Sequence, residues 1–308
     1  MSIAMSDASA QLDLPFREDP LVVSYGMGVD STAMLVGLAA RGIVPDLILF
    51  ADTGGEKPET YEYLPVINAW CAKVGFPQIT VVKRAPTSGK NGRKVYDTLE
   101  TNCTANETLP SLAFGRKACS LKWKVAPMDR HVRRWQPAKD AWARGGKVRR
   151  AIGYDAGPKD SKRCWDLVDE KRFRYVYFLR EWGWDRERCA AEIIAAGLPL
   201  PPKSACFYCP ATQPEELVQL RRKHPELAAR IVAMEAIAKP KFRKVEGLWG
   251  RGVKGKRGGR PKPGSMTEFL RALDAGELLD DGTPITRGAL PWDGRPSTRC
   301  SRLTTRLE

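Results

Sequence analysis

The stretch LVVSYGMGVDSTAMLVGLAARG, Leu21 to Gly42, constrains the fold of this chain more than any other. An apolar run, Leu21-Val22-Val23, leads into a loop carrying Gly26 and Gly28. The loop runs directly into a helix-like segment that opens at Asp30-Ser31-Thr32. A buried strand, a small-residue turn and a helix N-terminus in that order make an anion site. Backbone N–H groups point outward, the helix dipole favours negative charge, and glycine lets a phosphate come close to the backbone. Ser31 and Thr32 add hydroxyl donors. No GxxxxGK[ST] and no GxGxxG is present, so the loop is neither a Walker A motif nor a dinucleotide fingerprint. A second apolar run, Asp46 to Ala51, carries Asp52-Thr53-Gly54 to its carboxyl end, the edge at which open α/β sheets bind ligands. Pro58 is placed to open the next helix.

Strand-like runs near 20–24, 46–51, 78–83 and 148–152 alternate with helix-like segments near 31–41, 58–74, 123–135, 185–196 and 213–238. Such alternation predicts an α/β fold: a doubly wound, mostly parallel, Rossmann-like sheet with helices on both faces. A chain of 308 residues fits one large domain with an appendage. The expected division is a flexible arm over 1–19, the main domain with its cysteine knuckle over 20–238, and a basic linker with a small C-terminal segment over 239–308. Residues 84–118 hold the turn-rich basic SGKNGRK and read as an active-site lid. No apolar run approaches the roughly 20 residues that cross a bilayer, and the N-terminal segment lacks a signal-peptide core, so the cytoplasm is the expected compartment.

SYGMGVDST, Ser24 to Thr32, resembles the pyrophosphatase loop of the PP-loop ATPases, which often reads SFSGGKDST in the branch of the PAPS reductases. Ser24, Gly28, Asp30, Ser31 and Thr32 match; Gly26, Met27 and Val29 replace a serine, a glycine and a lysine. Loss of the lysine takes a cation from the phosphate cradle, which another basic residue or Mg²⁺ has to replace. The segment DTGGEKPET, Asp52 to Thr60, is similar to the family's DTG…PET after its second strand. The resemblance implies an adenine nucleotide alpha hydrolase-like fold binding ATP or a sulfonucleotide. Ser24, Tyr25, Gly26, Gly28, Asp30, Ser31 and Thr32 would line the phosphates, and Asp52, Thr53 and Gly54 the adenosine side. Asp30, Ser31 and Lys122 are the implied catalytic residues. The segment AIGYDAGPKDSKR, Ala151 to Arg163, resembles the family's GxRxxES…R: Gly153 matches, Ser161 and Arg163 are anion contacts, and Tyr154 and Asp155 depart from the arginine-containing pattern.

Eight cysteines in a chain of this class argue for reduced thiols and metal ligands, not a disulfide scaffold. Cys206 and Cys209 form a CxxC in KSACFYCP, a spacing that can bind one metal or cluster and that by itself also fits a redox pair, half a zinc site or two unrelated thiols. RKACSLKWKVAPM, Arg116 to Met128, resembles the CC…RKxxPL segment with which the APS reductase branch, together with a later CxxC, holds a [4Fe–4S] cluster. Cys119 falls on the first of the adjacent pair and Ser120 on the second; Lys124 and Pro127 match. The resemblance thus implies Cys119, Cys206 and Cys209 as ligands, with either Cys103 as a fourth or an open iron, as in three-cysteine tRNA-thiolating PP-loop enzymes. Zinc is the alternative metal. Cys71, Cys164, Cys189 and Cys300 have no motif around them.

The formal net charge of +15 points to a polyanionic partner. Basic residues recur in HVRRWQ, ARGGKVRRA and LRRKHPE, and are densest from Lys239 to Lys262, where Gly-Arg-Pro resembles an AT-hook. DNA or RNA is the expected partner, besides the nucleotide and a sulfur donor or thioredoxin-like protein. The two histidines, His131 and His224, lack metal-ligand spacing. The family reading is ATP-dependent adenylation or sulfur transfer on a nucleic acid. The alternatives are an APS or PAPS reductase, disfavoured because no ECGLH-type tail is present, and a non-catalytic nucleic-acid-binding protein on the same fold.

Overall fold

A computed structural model describes residues 18–86, 95–116, 118–158, 160, 169–252 and 262–285. Five strands form one parallel sheet: β1 Leu21–Ser24, β2 Leu47–Asp52, β3 Ile79–Lys83, β4 Val148–Ile152 and β5 Phe173–Val176, in the order β3-β2-β1-β4-β5. The expected doubly wound α/β architecture is therefore present. The direction of winding reverses between β1 and β4, which opens a crevice at their carboxyl ends. β1, β2 and the middle of β4 are buried, which explains why they read as continuous apolar runs.

The helices are α1 Val29–Ala40, α2 Pro58–Lys73, α3 Leu99–Ala105, the short turn α4 Ala118–Ser120, α5 Ala126–Arg134, α6 Gln136–Ala143, the short α7 Phe178–Glu181, α8 Arg186–Ala195, α9 Pro214–Lys223, α10 Pro225–Ala238 and α11 Met266–Asp274. A π-helical stretch, Leu121–Val125, leads into α5. The helix expected over 213–238 is two helices, because Pro225 ends the first at His224 and opens the second. α3, with Thr98 as its N-cap, occupies part of the segment read as a lid.

One sheet face is covered by α1, α2 and α8, with Met34, Leu35, Leu38, Ile67 and Ile193 fully buried. The other is covered by α5 and α6 through Met128, Val132 and Ala138. A second core joins α3, the cysteine knuckle, α9, α10 and α11 around Tyr208, Leu217, Ile231 and Phe269. Its carboxylate hub is Glu235, which accepts from the N–H groups of Leu248, Met266 and Thr267 at 2.6, 3.0 and 2.8 Å and so fixes the start of α11. Among the described residues no helix is long and apolar enough to cross a membrane.

Candidate functional site

The loop from Tyr25 to Gly28 lies at the crevice between β1 and β4. Met27 is buried with φ +56°, so the turn takes a left-handed step without glycine and holds it by burying the side chain. Ser31 closes the start of α1 on Gly28: its hydroxyl donates to the Gly28 carbonyl at 3.1 Å and accepts from the Gly28 N–H at 3.3 Å. The Thr32 hydroxyl shares a 2.9 Å hydrogen bond with Tyr25 inside the core. Thr32 and Tyr25 thus brace the loop from behind, and its front is the backbone. Gly153, after β4, lies across the start of α1. A Cβ there would stand 2.8 Å from Ser31 Cα and 2.9 Å from its nitrogen, so only glycine permits this approach.

Asp30 is partly buried at the mouth of the loop and receives Nη1 of Arg186, the first residue of α8, at 2.6 Å. Carboxylate oxygens of Asp30, Asp155 and Asp160 all lie within 4.8 Å of one another. Burial raises the Asp30 pKa; Arg186 opposes that, and the Asp155 and Asp160 charges add to it. The cation missing at Val29 therefore has a counterpart in Arg186, which no local pattern announced. Arg163 and Ser161 lie outside the described residues, as do Cys164, Cys300, residues 1–17 of the arm, SGKNGRK, residues 253–261 of the basic run and residues 291–308.

One strand over, Asp52 is buried and fully engaged. It accepts from the Gly54 N–H at 2.7 Å and the Tyr61 hydroxyl at 2.8 Å, and pairs with Lys83 at 3.0 Å. The segment after it receives the cysteine knuckle. Thr53 Oγ1 lies 3.0 Å from Cys206 Sγ, Glu56 bridges to Cys206, and the Phe207 N–H donates to the Gly55 carbonyl at 2.8 Å. A Cβ on Gly55 would meet the Tyr208 hydroxyl at 2.5 Å. Gly54 has φ +76° and faces Thr98. Buried Glu56 takes Lys124 Nζ at 3.4 Å and the Ser204 hydroxyl at 3.2 Å.

Cys103, Cys119, Cys206 and Cys209 meet in the second core. Burial pushes the Cys103 and Cys206 thiols up to about 12, and raises Cys209. Each feels another of the set: Cys119 and Cys206 act on Cys103, and Cys119 acts on Cys209. Burial would lower the Lys124 pKa, but attraction to the Glu56 carboxylate and the hydrogen bond with it outweigh burial and raise it. Among the described residues no three cysteine sulfurs fall within 4.8 Å of one another. Four thiolates on a tetrahedral zinc at 2.3 Å stand closer than that, about 3.8 Å apart. Cys71 and Cys189 are buried in the first core, apart from this set.

Lys122 belongs with the cysteines. It lines a cleft of about 380 Å³ together with Cys103, Cys119, Arg116, Phe114 and Trp123. Since β1 and β2 are paired neighbours, the loop and this cysteine corner sit side by side on one sheet edge. Sequence reasoning missed Arg186, Asp160, Glu56 and Lys83; only the register Asp52↔Lys83 explains the last.

No family model and no curated protein sequence matches the chain. Among solved structures, the chain is similar to the U34-tRNA thiolase NcsA from Methanococcus maripaludis with its [4Fe–4S] cluster. The identity is 12%, 74% of each chain is covered, and the TM-score is 0.35. At that identity and TM-score the likeness bears on neither substrate nor chemistry.

Proposed function

We propose that this chain is a PP-loop-type enzyme that binds ATP or a sulfonucleotide and uses it for adenylation or sulfur-transfer chemistry on a nucleic acid. The observation that carries the reading is the loop at the switch point, with Arg186 and three carboxylates at its mouth, one strand from a corner of four cysteines. The backbone N–H groups at the start of α1 would hold phosphate oxygens, and Arg186 would neutralise their charge. Asp30, Asp155 and Asp160 fit a hard divalent cation, because the repulsion that the Asp155 and Asp160 charges exert on Asp30 is relieved on an oxygen-seeking ion. Mg²⁺ held there would supply charge neutralisation at the α- and β-phosphates. An acceptor oxygen attacking the α-phosphorus would form a new P–O bond, with pyrophosphate leaving with the electron pair of the broken one.

Cys119, Cys206, Cys209 and Cys103 would hold a [4Fe–4S] cluster, with zinc as the alternative metal. Cys103 and Cys206 are buried and Cys119 and Cys209 half-buried on one apolar core, and the Lys124 ammonium would balance the charge of bound thiolates. A cluster there would supply electrons or an iron to bind sulfur. Glu56 and Lys124 would position the knuckle and balance its charge; Lys122 would meet an anion entering the cleft.

The test is anaerobic incubation with ATP, separation of AMP from ADP, and iron, sulfide and zinc analysis of the same sample. AMP and pyrophosphate with about four irons per chain support the reading. ADP and phosphate, or no turnover in a metal-free protein, overturns it. Sulfite release from APS or PAPS with thioredoxin would instead mark a reductase.

A further inference from the structure

The outer face of α5 carries cations that the site above does not use. Ala126, Arg130, Arg133 and Arg134 follow i, i+4, i+7, i+8 spacing and so share one face. They line a shallow depression of about 390 Å³, and the three arginines are exposed. The inner face, with Pro127, Met128 and Val132, is fixed on the sheet. Asp129 also lines the depression, but its carboxylate pairs inward with buried Arg150 at 2.6 Å. Among the described residues no carboxylate pairs with Arg130, Arg133 or Arg134. The helix dipole accounts for basic residues in the last turn of α5, where Arg133 and Arg134 stand, but not for Arg130. One turn before Ala126, exposed Lys122 lines the cysteine cleft beside Arg116 and Cys119. The row from Lys122 to Arg134 is about 18 Å long at 1.5 Å per residue, room for several phosphates of one strand.

We propose that this face is the track for the sugar–phosphate backbone of a single-stranded nucleic acid, which brings an unpaired base into the cleft beside Cys119. The proposal rests on the nucleic-acid half of the function proposed above, and assigns it a surface separate from the basic run 239–262. The cleft wall supports an unpaired base over a duplex. Exposed Phe114 offers a stacking face, while Asn102 and Ser111 offer groups for a base edge. The arginines supply charge along the approach without base contacts.

The experiment is fluorescence anisotropy with a labelled 12-nucleotide single-stranded RNA, the DNA of the same sequence and a duplex, across a salt series. Binding by the natural chain is compared with R130Q/R133Q/R134Q and with R130Q alone. The triple variant is expected to bind the single strand at least tenfold more weakly at 0.15 M salt, with the slope of log K against log salt flattened by about 2, that is ~0.7 per lost phosphate contact. R130Q alone takes about a third of that change, which keeps the test open if the triple variant unfolds. Unchanged affinity and slope overturn the track. Equal or tighter binding of the duplex overturns the single-stranded assignment, and the RNA and DNA arms identify which single strand the face takes. Conversion of ATP to AMP is followed without nucleic acid. Turnover with no single-strand binding sinks this inference alone, and single-strand binding through α5 without AMP formation sinks the nucleotide chemistry alone.

Discussion

The Tyr25–Gly28 loop and the cysteine corner sit on neighbouring strands yet are built on opposite principles. At the loop, polar groups already have partners: Ser31 with Gly28, Thr32 with Tyr25, Asp30 with Arg186. Its working surface is backbone, so the side chains act as bracing. At the cysteine corner the potential ligands are side chains in apolar surroundings. Burial raises the Cys103, Cys206 and Cys209 thiols, and one half-buried ion pair, Lys124–Glu56, lies beside them. A site made from backbone constrains side-chain identity less than a site made from side chains does. A site made from thiols stands or falls by each sulfur.

The largest effect should come from Cys206→Ala, which is expected to remove essentially all iron from anaerobically purified protein, read by iron and sulfide analysis. Retention of iron would break the contrast at its root. Next, Asp30→Ala should lower AMP formation about 100-fold or more, the scale on which charge-positioning groups act. Unchanged turnover would show that the loop needs no side chain at all. Two glycines separate the corners directly. Gly153→Ala and Gly55→Ala should each destabilise the fold by about 1–3 kcal/mol in denaturant melts through overpacking. Gly153→Ala should weaken nucleotide binding and spare the metal, and Gly55→Ala the reverse; identical phenotypes would merge the corners into one unit.

A pH series sharpens the comparison further. The Asp30 carboxyl is raised by burial, so the folded chain binds its proton more tightly than the unfolded chain. That stabilisation is present below about pH 4 and is lost as pH rises through the raised value. Asp30→Asn should flatten this decline in melting temperature. Glu59 has the opposite sign. Burial alone would raise it, but the hydrogen bond with His224 at 2.9 Å outweighs burial and lowers it. Its contribution is present above the ordinary carboxylate pKa and fades as pH falls through the lowered one. Since the pair is partly exposed, His224→Ala should cost under about 1 kcal/mol in a melt.

Four strands and the long helices were legible because buried parallel strands read as apolar runs and helices announce themselves by period and by Pro at their starts. β5, Phe173–Val176, was not, because an edge strand reading FRYV has only one fully buried position. α3 hid inside a polar stretch and owes its start to the Thr98 cap. Sequence motifs singled out Asp30, Ser31, Asp52 and the cysteines as candidates. They did not reveal that Asp52 would be tied by Lys83 and Tyr61, or that Thr32 would turn inward to Tyr25. Those outcomes depend on sheet register and on a hydroxyl finding a buried partner. Arg186 reaches Asp30 across 156 residues, and no local pattern encodes such a distance.

The contact of Thr53 with Cys206 also has a kinetic meaning. It closes a loop of 153 residues, whereas β1, β2 and β3 follow one another with a single helix between neighbours. Loop-closure entropy delays such distant pairings, so the sheet half can assemble before the knuckle docks. Loop entropy thus favours the pairing of β1, β2 and β3 before Cys206 and Cys209 dock at Thr53. Until that moment the thiols are solvated and open to oxidants, so a lack of reducing conditions during synthesis would damage this protein before it is finished.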